Sequence, residues 1–494
     1  MKILIVGGGT AGLCTALLLR RLTSHDISVM KSKKTPIIGV GEGTTEHFAL
    51  FCETVGLSFK EFFEKCDATF KGGVKFTNWT ENYYCHEILP PFSNILQLNG
   101  ELFSQQKQYS RKQTFHELNS FRSNHVFIDA YVEDPNWPTP NQIHVDTHKF
   151  NDFITNVATE RGIHFFEDTI KNVEINDNGI EKIICEKDDY TFDYYVDCSG
   201  FNKVLISKFD EIKWSSHKKH LPLDSAIPFQ TKYVEESDFY TGAIALKNGW
   251  MWKVPTQKRT GWGYVYSSEF TSQDEAINEL KENNYESDFK RHIKFEAGKL
   301  NKCSIKNVTA IGLSSQFYEP LEATNITSGI LCALKLCNLM PYYGSVYFEH
   351  MMNTFFNELC ENLSAFIQLH YVVNRNDTPF WKFVKEELII YDLLVEIFEK
   401  ISHVGLLTFH DFPNENLLFN PQNFNQVLYH LDLVDHSIVN KRFIENYERF
   451  PDVINNWTLE LPTNTNAPRV SLRDVMIAIM NDQSPKDVKD KWIW

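Results

Sequence analysis

Ile3-Leu4-Ile5-Val6-Gly7-Gly8-Gly9-Thr10-Ala11-Gly12-Leu13 sets four apolar residues, a run of glycines and the start of a second apolar stretch side by side. The first four suit a buried strand. Leu13, Ala16, Leu17 and Leu18 suit the inner face of a helix that ends near Arg20-Arg21, where cations complement the helix dipole. Between them Gly7, Gly9 and Gly12 keep the spacing G-x-G-x-x-G. The first glycine permits a sharp turn, the second lets a pyrophosphate approach the backbone, and the third lets helix and strand pack closely. The helix amino end then offers free N–H groups to the phosphates. Gly7, Gly9, Thr10, Ala11 and Gly12 are therefore candidate nucleotide-binding residues. A second strand, Ile27 to Met30, completes the start of a βαβ unit. It ends at Lys31, where an Asp or Glu would ordinarily hold the ribose, so the adenosine end must be held differently.

Outward from this turn, the chain of 494 residues is long enough for two or three modules of about 100–200 residues each. A hydrophobic content of 43%, with 38 phenylalanines, describes an ordered globular protein. Charge narrows its partners: 49 basic against 64 acidic residues leave −15, and no basic stripe denser than Lys31-Ser32-Lys33-Lys34 appears. Nucleic acid is therefore not an expected partner. The ten cysteines are scattered without a C-x-x-C pair, which suits a reducing cytoplasm better than a disulfide framework. The opening apolar stretch is broken by glycines before it could serve as a secretion signal. No run approaches the roughly 20 apolar residues that span a bilayer, so no membrane association is expected.

Further along, Asp146 can cap a helix through about Arg161, ending at Gly162. Short strands follow at His164–Phe166, Thr169–Ile175, Lys182–Cys185 and Tyr194–Asp197, and residues 240–270 alternate like an antiparallel pair. From Ile326 the pattern turns helical, with amphipathic stretches at 326–340, 345–373 and 380–402. The expected division is residues 1–330 and a mainly helical region at 331–494 that packs on the first.

Five segments carry a resemblance. Gly39-Val40-Gly41-Glu42-Gly43-Thr44 is similar to a G-V-G-E-A-T loop, with Glu46 where a proline is usual. Ala68-Thr69-Phe70-Lys71-Gly72-Gly73-Val74-Lys75-Phe76 surrounds a lysine. Gly249-Trp250-Met251-Trp252-Lys253-Val254-Pro255 matches W-x-W-x-I-P with Val for Ile. Strand alternation places Trp250, Trp252 and Val254 on one face. Ile311-Gly312-Leu313 through Phe317-Tyr318-Glu319-Pro320-Leu321-Glu322-Ala323-Thr324-Asn325-Ile326 resembles G-L-x-x-x-F-x-E-P-L-E-S-T-G-I, with Ala323 for Ser and Asn325 for Gly. His370-Tyr371 through Arg375, Asp377, Thr378, Pro379, Phe380 and Trp381 resembles H-Y-x-x-x-x-R-x-D-T-P-F-W. Together these segments resemble the flavin-dependent tryptophan halogenases from residue 1 to about 381.

The resemblance implies an α/β fold: a three-layer, Rossmann-like FAD-binding module of the glutathione-reductase type, a β-sheet substrate region and a mainly helical C-terminal portion. It implies FAD, used as FADH2, held also by Gly39, Val40, Gly41, Glu42, Gly43, Leu313 and Ile326. It implies a halide (chloride, bromide or iodide) near Thr324 and Asn325, and a wall of Trp250 and Trp252 between flavin and substrate. Lys71 and Glu322 are the implied catalytic pair. An amine can handle an electrophilic halogen as a haloamine when neutral, or by hydrogen bonding hypohalous acid when protonated, and burial would favour the neutral form. A carboxylate can hold or receive the proton lost from the ring. The fifth segment is expected to buttress the site.

The implied substrate is a small electron-rich aromatic of indole or phenol type, and the implied partner is a separate NAD(P)H-dependent flavin reductase, since only one dinucleotide fingerprint is present. Halide preference, the ring and its free or carrier-bound state, and the oligomeric state stay open. Two rivals stay open as well: an FAD-dependent aromatic monooxygenase and a non-catalytic flavin-binding protein. His144 and His148 stand four apart beside Asp146, but no third ligand cluster joins them and no metal is expected. Cys198 reads as packing, not as a nucleophile.

Overall fold

Ile3, Leu4 and Ile5 have no exposed surface, because their strand, Lys2–Val6, lies inside a six-stranded sheet covered on both faces. In this computed structural model the order is Ser304–Ile305, Val308–Ala310, Tyr194–Asp197, Lys2–Val6, Asp26–Lys31, His164–Glu167. All neighbours are parallel except the edge pair Ser304–Ile305 and Val308–Ala310. The structure describes residues 1–32, 42–87, 142–232, 240–408 and 418–435, with isolated positions 411, 437–439, 441 and 481. The helices among them are α1 (Thr10–Leu22), α2 (His47–Val55), α3 (Phe59–Lys65), α4 (Thr147–Glu160), α5 (Gln273–Glu282), α6 (Thr324–Leu339), α7 (Val346–Leu369), α8 (Pro379–Glu386), α9 (Asp392–Val404) and α10 (Pro421–His430).

An antiparallel sheet of Ile170–Asn176, Gly179–Cys185 and Asp189–Tyr190 shares the core of the parallel sheet. The Cys185 thiol meets the Met30 sulfur at 3.8 Å, and Asn307 bonds both the N–H and the C=O of Ile180. With α1 and α6 packed together at the start of α1, this makes the expected three-layer α/β module.

A second sheet of seven strands runs Ile293–Lys294, Ser225–Lys232, Arg259–Tyr266, Gly249–Pro255, Thr241–Leu246, Gly73–Thr77, Tyr84–Glu87. It is antiparallel except where Thr241–Leu246 meets Gly73–Thr77. Residues 240–270 thus hold three strands where alternation predicts a pair. The helical stretch expected at 380–402 also divides, into α8 and α9. Gln368 stabilises the break by donating to the Ile389 carbonyl at 2.8 Å and accepting from the Tyr391 N–H at 2.6 Å. The boundary expected after residue 330 falls inside α6, and one hydrophobic core runs from Ile3 to Val439. No described helix is long and apolar enough to cross a membrane.

Candidate active site

The cradle for a dinucleotide forms where the strand Lys2–Val6 gives way to α1. Gly7 has φ +124°, and a Cβ there would stand 2.1 Å from the Cys198 carbonyl oxygen. A Cβ on Gly12 would stand 1.9 Å from the Gly7 oxygen, whereas one on Gly9 would meet nothing within 4 Å. The turn is therefore tight behind and open in front. Gly9 caps α1 without a side-chain hydrogen bond, so the first-turn N–H groups, including those of Thr10 and Ala11, are open to an anion. Ala11 packs against Gly312, which brings the turn carrying Leu313 and the start of α6, with buried Ile326, to the same edge. These residues fit a bound dinucleotide. Lys31 does not aim a donor into the cradle: its stem lies beneath Gly8 and its amine sits 4.8 Å over the Phe165 ring. Gly39, Val40 and Gly41 lie outside the described residues.

Glu42 and Gly43 pair with Val145 and His144 in a small sheet that Thr69–Phe70 completes. This small sheet places Lys71. The lysine is 2% exposed, its N–H bonds the Gln142 carbonyl, and its amine donates to the Thr44 carbonyl at 2.7 Å. Burial pulls its pKa down to about 8, against the opposing pull of the Glu322 and Glu46 carboxylates. His144, buried beside it, engages Thr69 and Thr241 through its two ring nitrogens, at 3.2 and 2.9 Å.

Glu322 and Ala323 both adopt left-handed backbone, φ +62° and +55°. That conformation costs a non-glycine residue about 1–2 kcal/mol. It turns Glu322 into the cavity that Lys71 lines and starts α6 at Thr324 with no side-chain cap. The Thr324 hydroxyl and the Asn325 side-chain oxygen are buried there without a hydrogen-bond partner. Glu322 itself is held from two sides. Its Oε2 accepts from His86 Nδ1 at 2.8 Å, and its Oε1 lies 3.3 Å from His370 Nε2. Burial alone would raise this carboxyl, but the two imidazoles more than offset it and keep it well below the usual carboxylate range. Glu46, Gln142 and Asn423 line the same cavity, with Gln142 donating to Glu46 at 3.0 Å.

Trp250 and Trp252 are buried with ring centroids 6.5 Å apart, and Trp79 lies 6.5 Å from Trp250. The Trp250 indole N–H donates to Glu319 Oε1 at 3.0 Å, which also accepts from the Tyr371 hydroxyl at 2.8 Å. Burial pushes Glu319 up to about 8, opposed by these two donors. Trp252 lies over Gly263, where a Cβ would come within 2.0 Å of its ring. The fifth segment closes this face: Trp381 donates to the Leu246 carbonyl at 2.8 Å and Arg375 stacks 4.8 Å over Trp381.

The tryptophan halogenase family model matches residues 2–441. The chain belongs to the tryptophan halogenase family. The tryptophan 7-halogenase RebH of Lentzea aerocolonigenes is 30% identical over 426 residues, 78% of this chain and 79% of that one. The crystal structure of a tryptophan halogenase from Shewanella frigidimarina superposes with a TM-score of 0.81 over 98% of both chains, at 24% identity. Tar14, a tryptophan C-6 flavin-dependent halogenase from taromycin biosynthesis, gives 0.77 at 25% identity, covering 97% of this chain and 99% of that one. This family member is thus an enzyme, a flavin-dependent halogenase.

Around Lys71 and Glu322 the structure gathers residues that the sequence does not single out as site residues. Tyr84 and His86 face one way by strand alternation, a signal available in Tyr84-Cys85-His86 but too short to weigh alone. His370 begins the segment expected to buttress the site, and its ring lies 3.3 Å from Glu322. Glu46, which stands where a proline is usual, supplies a second carboxylate to the cavity. Asn423 gave no signal, because its neighbourhood exists only once α10 docks.

Proposed function

We propose that the enzyme halogenates a small electron-rich aromatic ring of indole or phenol type, with Lys71 presenting hypohalous acid and Glu322 receiving the ring proton. The observation carrying this reading is that Lys71 and Glu322, buried and of opposite charge, line one cavity. Reduced FAD, bound on Gly7, Gly9, Thr10, Ala11, Gly12, Gly43, Leu313 and Ile326, would supply with oxygen the oxidation of halide to hypohalous acid.

An amine with a pKa near 8 is mainly protonated at neutral pH. The Thr44 carbonyl takes one of its N–H bonds and leaves another to point at the oxygen of hypohalous acid. As halogen passes to the ring, that oxygen takes a proton from Lys71 and leaves as water. The ring proton passes to Glu322, and its return to Lys71 restores both groups. Halide would be held by the Thr324 hydroxyl, Asn325 and the uncapped start of α6. With Ala323 and Asn325 altered, this site is expected to take larger, more easily oxidised halides. Trp250 and Trp252, backed by Glu319, Tyr371 and Gly263, would keep the ring from the activated flavin. Reducing equivalents would come from a separate NAD(P)H-dependent flavin reductase, and ten free cysteines suit a cytoplasmic location.

Mass spectrometry of an aromatic panel incubated with enzyme, reductase, FAD and each halide tests this reading. Halide-dependent products are expected, with bromide or iodide favoured over chloride. Lys71→Ala should lose at least about 100-fold in rate while still binding flavin. Halide-independent hydroxylation, or turnover that survives Lys71→Ala, would overturn it.

A further inference from the structure

Glu322 lies in the middle of a buried chain of side chains, Tyr84–His370–Glu322–His86–Asn423, each no more than 7% exposed. The donors along it can be assigned. Asn423 Oδ1 accepts the backbone N–H of Asn420 at 2.9 Å, an unambiguous donor, so the Asn423 amide must turn its NH2 toward His86 Nε2, 3.0 Å away. His86 Nε2 is therefore an acceptor, and its single N–H is on Nδ1, facing Glu322 Oε2 at 2.8 Å. On the other side His370 Nε2 lies 3.3 Å from Glu322 Oε1, and an N–H on that nitrogen leaves Nδ1 to accept from the Tyr84 hydroxyl, 3.0 Å away. Packing holds the rings: Phe76 stacks on His370 at 4.3 Å and on Tyr84 at 4.5 Å, while Phe366 lies 5.0 Å from His86.

We propose that His86 and His370 are positioning residues for Glu322: Asn423 and Tyr84 fix the tautomer of each imidazole, so that each turns an N–H toward a different carboxylate oxygen and Glu322 meets the ring as an oriented acceptor. This deepens the role given to Glu322 above and rests on it. The His86 contact is a full hydrogen bond. The His370 contact is off line, so Oε1 has no aligned donor and is the oxygen that receives the proton. The hydrogen bond from His86, with the His370 ring 3.3 Å from the other oxygen, favours the ionised form of the carboxyl. A proton taken from the ring is therefore held only briefly before it moves on. Lys71 and Glu46 are the other charged side chains lining the cavity among the described residues, while His430 stacks 5.6 Å from Tyr84 and the Cys85 thiol lies next to it in sequence. Burial lowers His370 further, which keeps it neutral against the pull of Glu322.

The test reads Glu322 directly, by infrared titration of protein carrying 13C-carboxyl glutamate, with Glu322→Gln to assign the band. In His86→Leu and His370→Phe the carboxylate is expected to protonate about one to three pH units higher than in the wild type. The acidic limb of kcat should move up with it, at nearly unchanged KM. His86→Asn and His370→Gln keep an N–H near Nδ1 and Nε2 respectively, and should restore the wild-type titration. Tyr84→Phe and Asn423→Leu free the imidazole tautomers without touching the carboxylate, and should give smaller upward shifts. Unchanged titration in all of these, or a shift that the amide variants fail to restore, would overturn the proposal. Should no halide yield product on any ring, the halogenation reading falls while the infrared titration still decides this one.

Discussion

At the scale of single residues, the opposed tendencies on Lys71 set the pH behaviour. Burial lowers its pKa to about 8 and the carboxylates of Glu322 and Glu46 resist that fall. If the protonated amine presents hypohalous acid, the rate should decline as pH rises through about 8. Glu46→Gln removes an anion that favours protonated lysine, so the decline should begin at lower pH; initial rates of product formation between pH 6 and 10 check both. A rate that climbs through this range would instead place a haloamine on Lys71. Lys71 and Glu322 were legible because each sits in a segment whose neighbours, Gly72-Gly73 and Pro320-Leu321, give it context. His86 and Asn423 were not, since a histidine on a strand and an asparagine near a helix start have ordinary structural reasons to be there. Only the fold shows that they share a carboxylate.

At the scale of elements, the turn into α6 stores strain in Glu322 and Ala323. Ala323→Gly should relieve about 1–2 kcal/mol and lose about 0.5–1 kcal/mol to a freer unfolded chain. The expected gain of about 0.5–1 kcal/mol can be read from a urea unfolding midpoint. Gly263→Ala should do the reverse: a Cβ within 2.0 Å of the Trp252 ring forces that ring to shift. Overpacking of this kind costs about 1–3 kcal/mol, visible as a lower Tm. The first strand, glycine turn and α1 were readable because period, cap and spacing agree there. The third strand within 240–270 and the break between α8 and α9 were not. Alternation does not count strands, and the break depends on the Gln368 side chain from α7, distant in sequence.

At the scale of the whole molecule, one core crosses the boundary that the turn to a helical pattern suggests, so the two portions should unfold together. A single melting transition, unmoved by reductant, is expected with all ten cysteines free. FAD at about 100 times its Kd should raise stability by about 2.7 kcal/mol through mass action, and Gly12→Ala should abolish that increment because its Cβ strikes the Gly7 carbonyl. The contact between Asn423 and His86 joins α10 to a strand near the other end of the chain. The ribosome finishes Lys71, Glu322 and both histidines before it reaches α10. The histidine lock therefore closes last during synthesis, and a truncated polypeptide that stops short of α10 would carry Lys71 and Glu322 while leaving His86 free to change tautomer.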